Sequence, residues 1–299
     1  MTAVPDPAHV PADGNAMGAR AGKTRGPVRG DPGRAARLLA DAERAAQSIT
    51  NDYWKASALA AVAEALAVTD PGRAERIARS ITNEGDQADA LGGVAKALAI
   101  TDPGRAERIA RSLTFEYNRV WVLAAVAGLL AAADPGRAAR LIADAERTAQ
   151  SIVGEHLKGW ALLGVAGPLA AIDPGRAERL VAGFGDFMPT ISSITVEDMK
   201  ARGLGYIAEA LAATDPGRAA RLIADAERTA RSFTDQDAKA SALAAVAEAL
   251  AATDPARAER IAQSITDEYL KASALTKLAR AAVQHAADDP EAAEPGRGR

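Results

Sequence analysis

The sequence predicts an all-α fold, an α-solenoid of about seven helix–turn–helix repeats. Three observations predict it. The dipeptide Asp-Pro recurs through the body of the chain at Asp31, Asp70, Asp102, Asp134, Asp173, Asp215 and Asp254, with spacings of 39, 32, 32, 39, 42 and 39. The two common spacings differ by seven residues, about two α-helical turns, so the longer units extend a helix without rotating its apolar stripe. Before each Asp, large aliphatic residues return at i, i+3 and i+7, which is one face of a helix.

Each unit resolves into two helices. The first opens at the Asp, a favoured N-cap, and Pro is tolerated next because its missing N–H would be unpaired there. Seven residues after the Asp stands Leu38, Ile77, Ile109, Leu141, Leu180, Leu222 or Ile261, and in short units Ile81, Leu113 or Ile265 follows four later. The second helix carries leucine eleven residues before the next Asp (Leu59, Leu91, Leu123, Leu162, Leu204, Leu243), Val or Ile at eight, and leucine at four; Leu275 and Leu278 close the series. A hairpin of this size cannot cover its own stripe, so neighbours must stack into one continuous core.

A 32-residue helix–turn–helix unit that opens on Asp-Pro and repeats in tandem resembles the tetratricopeptide-repeat and HEAT-type α-solenoids, over residues 31 to 287. The resemblance implies a right-handed α-solenoid and a curved surface that binds protein or peptide.

Composition excludes several classes. The chain has 299 residues, with 36 Lys+Arg against 39 Asp+Glu and no cysteine. A net charge of −3 argues against a general nucleic-acid binder, and the absent cysteine excludes disulfides and thiolate metal sites. No stretch reaches the length of a membrane span. Residues 1–30 and 288–299 are rich in Pro, Gly and charge and are expected to be disordered tails. Without an apolar leader, the expected location is cytoplasmic.

Arginine stands three and six residues after every Asp, as in Arg73 and Arg76, Arg105 and Arg108, and Arg137 and Arg140. A cation in the first helical turn opposes the macrodipole, so a tertiary reason is expected. One reading is pairing between stacked units, with the capping Asp or with Glu at the fifth position (Glu75, Glu107, Glu178, Glu259). The other is an arginine ladder that holds an acidic or phosphorylated partner. A second charge column marks the hairpin loops, where an acid or amide (Asp52, Glu84, Glu116, Glu155, Glu197, Gln236, Glu268) is expected to start the second helix.

The middle of the chain breaks the pattern. Gly159, Gly164, Gly167 and Pro168 interrupt one second helix, where a kink or early end near Gly167 is expected. Gly183-Phe184-Gly185 cuts the next first helix, adding three residues to the long period. Two readings stand for the aromatic residues gathered there. Either Trp160, Phe184, Phe187, Met188 and Tyr206, with His156 nearby, line a ligand or partner site, or they fill gaps left by broken register.

No catalytic set assembles from three histidines, and no nucleotide, metalloprotease or nucleophile-elbow motif occurs. His156 with Glu155 and Asp198 is the one remaining acid–base trio. The expectation is a non-enzymatic scaffold or sensing module that binds protein or peptide, with no cofactor, metal, nucleic acid or membrane partner, as a monomer or weak homo-oligomer. The alternatives are a small-molecule site in repeats four and five and end-to-end self-assembly. Thr276, Lys277, Arg280 and Gln284 on the last helix read as a polar cap against such stacking.

Overall fold

A computed structural model describes residues 32–251 and 253–288, with side chains from 33 to 251 and from 253 to 283. Residues 1–30 and 289–299, with Asp31, His9 and the side chains of Gln284 and His285, lie outside the described residues; Asp288, assigned above to the tail, ends the last helix. The chain divides into two units, Met1–Leu38 and Leu39–Arg299. Of the first, the described part is the opening of α1 (Pro32–Ser48).

The described residues are helical, with no strand among them, in α-solenoid order. First helices are α1, α3 (Pro71–Arg79), α5 (Pro103–Ser112), α7 (Pro135–Ser151), α9 (Pro174–Ala182), α12 (Pro216–Ser232) and α14 (Pro255–Gln263). Second helices are α2 (Asp52–Leu66), α4 (Glu84–Leu98), α6 (Glu116–Leu130), α8 (Glu155–Ala170), α11 (Ser193–Leu211), α13 (Gln236–Leu250) and α15 (Glu268–Asp288); a single turn, α10 (Phe184–Phe187), lies between α9 and α11. Among the described residues, no helix is long and apolar enough to cross a membrane.

The Asp of Asp-Pro serves two helices at once. Its N–H donates to the carbonyl of the leucine four residues back, from Asp70 to Leu66 at 2.7 Å and from Asp134 to Leu130 at 2.8 Å, closing the second helix. Its Oδ1 accepts from the backbone N–H three residues on, at 2.9–3.0 Å in all six described units, opening the next first helix. Pro follows where no N–H is needed. Replacing Asp134 by Ala is therefore expected to cost about 1 kcal/mol, read as a shifted denaturation midpoint; an unchanged midpoint would show the cap to be idle.

Second helices pack in a row, α2 on α4 on α6 on α8 on α11 on α13 on α15. Each first helix from α3 onward packs on the second helices before and after it, and no two of these first helices approach each other closely. The predicted aliphatic columns fill the space between the layers. Leu59, Leu91, Leu123, Leu162 and Leu243 are buried, as are Ile77, Ile109, Leu141, Leu222 and Ile261. Alanines with no exposed surface, such as Ala63, Ala95, Ala127 and Ala247, let the helices close up.

Two expectations change. α8 runs through Gly167 and Pro168 to Ala170, so it has no early end. Pro168 lies in the last turn, where its missing N–H removes one bond instead of breaking a ladder. Unit five is a short unit with ten extra residues, not a long unit with three. Its first helix, α9, has the nine-residue length of α3 and α14, and the extra residues fall between α9 and α11. Of the residues read as a polar cap on α15, Thr276, Lys277 and Arg280 are exposed. Lys277 turns back to Glu248 of α13 at 2.7 Å, and Thr276 Oγ1 donates to its own helix at Ala272 O, 2.7 Å.

Candidate functional site

From the second unit onward, the arginine three residues after each Asp bridges to the preceding unit. Arg73 holds Glu43 (Nε to Oε2, 2.9 Å), Arg105 holds Glu75 (3.0 Å) and Arg137 holds Glu107. Arg176–Glu146, Arg218–Glu178 and Arg257–Glu227 continue the series. These rungs, with Arg111–Asp144 (2.9 Å), cross between first helices whose backbones stand apart, which is why a cation is kept in a first turn. The acceptor stands at the fifth position of short units and the twelfth of long ones, so the seven extra residues lie between Asp and Glu, and in five of the six rungs the partners are 30 residues apart. Arg218–Glu178 is separated by 40, which again counts ten extra residues in unit five.

Arg76, Arg108 and Arg140 behave differently. All three are exposed, and none is ion-paired with a carboxylate among the described residues. Arg76 Nε donates to its own Gly72 O at 3.3 Å. In the short helix α3, Arg76 falls in the last turn, where the macrodipole favours a cation. The six ladder residues thus divide into a paired set and an unpaired set.

The loop acid, or Gln236 in one case, starts the second helix in six units; Glu197 is the fifth residue of α11 instead, because that helix begins early at Ser193. Within this column Lys200–Glu197 and Lys271–Glu268 pair at 2.9 and 3.2 Å.

The aromatic group of the middle is split. Phe184 and Met188 are fully buried core residues and line nothing open. They explain one of the glycines: a Cβ on Gly159 would stand 2.2 Å from Met188 Sδ. Phe187 is 44% exposed. Trp160 donates from Nε1 to His156 Nε2 at 3.0 Å, and the Arg202 guanidinium lies 5.4 Å from the Trp160 ring centre. Tyr206 lies elsewhere, in a hollow described below. The acid–base trio is dispersed. Glu155 Oε2 accepts from Thr190 N and Oγ1 at 2.9 and 2.7 Å, His156 Nε2 accepts a hydrogen bond from the Trp160 indole, and Asp198 Oδ2 accepts from Arg202 Nε at 3.0 Å. Burial pushes the Asp198 carboxyl above its usual range, and Arg202 only partly opposes this.

A feature not read from the sequence lies on the second helices. Counting back from the next Asp, position 13 is Ser57, Asp89, Trp121, Trp160, Arg202 and Ser241, and position 9 is Ala61, Gly93, Ala125, Gly164, Tyr206 and Ala245. Positions 11, 8 and 4 repeat because the core demands it; these do not, and that contrast was the available signal. Two hollows open here and share Trp121 and Ala125. One, about 520 Å³, lies among α6, α8 and α11, with Trp121, Gly128, Gly164, Pro168 and Tyr206 in its wall. The other, about 370 Å³, lies between α4 and α6, with Asp89, Lys96, Tyr117 and Asn118. Gly164 seats the Trp121 ring, since a Cβ there would stand 2.6 Å from the indole. Trp121 Nε1 and Asp198 Oδ1 are buried without a hydrogen-bond partner among the described residues.

The sequence matches no protein-family model and no curated protein. Among solved structures, the crystal structure of Ton1535 from Thermococcus onnurineus NA1 is similar over 82% of this chain and 95% of its own, at 15% identity and a TM-score of 0.31. A likeness that loose decides neither fold nor function.

Proposed function

We propose that the protein is a non-enzymatic α-solenoid that binds a protein segment or peptide across its second-helix face, as a cytoplasmic scaffold or as the sensing module of a regulatory system. Trp121 carries this reading. It is a half-buried indole in the wall common to both hollows, on a stripe where the preceding unit places Asp89 and the following one a second indole, Trp160. Large aromatics beside small residues are the usual anchors of protein contacts. Hollows that are open, mostly apolar and strung across successive helices suit a segment laid over several units. A small molecule would be better served by an enclosed pocket with convergent polar groups. The internal pairing of Arg73, Arg105 and Arg137 also favours this face over the first-turn arginines.

The test places a photo-crosslinker at Ala125, between the hollows, in the full chain added to an extract of the native host. Ala125→Arg fills the shared wall without entering the core. A partner that cross-links at position 125 and binds Ala125→Arg at least about tenfold more weakly is the expected result. A partner that binds Ala125→Arg unchanged would overturn the proposal.

A further inference from the structure

The row of rungs has an unused acceptor at its C-terminal end. Glu259 stands at the fifth position of the last unit, where Glu75 and Glu107 receive the arginine of the unit that follows. Among the described residues it receives no arginine, only the side-chain amide of Gln263 at 2.9 Å. Around it is a hollow of about 550 Å³ walled by Pro255, Leu275, Leu278, Ala279 and Ala282. The corresponding positions of unit three, Leu123, Val126, Ala127 and Leu130, are buried under α7. In the last unit Leu275 and Leu278 are half-buried, and Ala279 and Ala282 are exposed. Although Thr276, Lys277 and Arg280 are exposed elsewhere on α15, this hollow has the chemistry of an internal junction.

The chain carries a segment made for such a face. Residues 31–48 are identical to residues 134–151 at 16 of 18 positions, differing only at Leu39/Ile142 and Ala45/Thr148. Residues 134–151 form the unit that docks on short unit three, with Arg137 on Glu107 and Leu141 buried. Arg34 corresponds to Arg137 and Leu38 to Leu141. Arg34 is exposed and ion-paired with no carboxylate among the described residues, and Leu38 is 58% exposed.

We propose that a second copy of this chain docks its first repeat on the last repeat of another, with Arg34 reaching Glu259 and Leu38 entering the hollow beside Leu275 and Leu278. Such a contact is head-to-tail, so association adds copies in series and does not stop at a two-fold dimer. The competing occupant is the chain's own Glu294-Pro295-Gly296-Arg297, which offers an arginine at the same offset.

The test is sedimentation of the full chain over a wide concentration range. Wild type is expected to gain mass in steps. Glu259→Arg and Arg34→Glu should each weaken association at least about tenfold, because each sets like charges together. The double variant Glu259→Arg/Arg34→Glu should restore it. Both residues are exposed, so circular dichroism should be unchanged. A monomer at every concentration, association indifferent to Glu259→Arg, or rescue by Arg297→Glu instead of Arg34→Glu would each overturn the proposal.

Discussion

Replacing Phe184 by Ala is expected to destabilise the protein by about 3–5 kcal/mol, the range for an aromatic deleted from a packed core. Phe184 is fully buried and sits on α10, the single turn that packs against α8, α9 and α11. The same plug includes Met188 and Met199, both buried, lying over the bare backbone of Gly159. Little else holds the ten extra residues, so the damage should be local. In an array held by nearest-neighbour contacts, weakening one junction uncouples the blocks on either side. Urea unfolding should then split into two transitions, with Trp121 and Trp160 reporting the earlier one. Phe187→Ala, on the exposed neighbour, should stay within about 0.5 kcal/mol. A single transition with under about 1 kcal/mol lost in Phe184→Ala would return the cluster to the binding-site reading.

Removing Glu227 is expected to cost about 2 kcal/mol. Its side chain is 7% exposed and accepts from both Arg257 and Arg231. A charged hydrogen bond is worth roughly 1.5–3 kcal/mol, but the two arginines are 34% and 64% exposed and regain water when released, which lowers the sum. Glu227→Ala with Arg257→Ala should be less destabilising than the two single changes added together, by about 1 kcal/mol. Strict additivity would mean the rung contributes nothing.

The same rungs set a pH dependence. At Glu75 and Glu107, burial pushes the carboxyl up, but hydrogen bonds and charge from Arg79 and Arg105, and from Arg137 and Arg111, outweigh it and leave the pKa below the ordinary glutamate value. A carboxylate with a depressed folded pKa contributes stability that is present above its unfolded pKa and lost as pH falls through the folded one. Glu146 has the opposite sign: burial dominates over Arg176, its pKa is raised, and protonation relieves a cost. Acid should therefore weaken the junctions at Glu75 and Glu107, and Glu107→Gln should flatten the acid limb of a stability–pH profile.

Periodicity alone determined the helices, their pairing into hairpins and the identity of the core columns. Leu59, Val62 and Leu66 have aliphatic counterparts in the following five units because each faces the same inter-helix space, and a requirement that repeats is visible in one sequence. The Asp-Pro signal was equally legible as a cap, since capping is local. Its second role, closing the previous helix through Asp70 N and Leu66 O, needed three-dimensional placement. The arginines were legible as a broken local rule, yet their acceptors were not. Glu75 and Glu43 take the same part from different positions, five and twelve, and only the docking of one first helix beside another makes those equivalent.

Likewise, Phe184 and Tyr206 looked like one cluster because they are near in sequence. Helical rotation sends one into the core and the other to the second-helix face. Trp121, from a different and regular unit, joins Tyr206 there because residues aligned across stacked helices are neighbours in space, however far apart in the chain. Local chemistry can be read along a sequence; adjacency between repeats depends on how far each helix slides and turns against the next, which only packing decides.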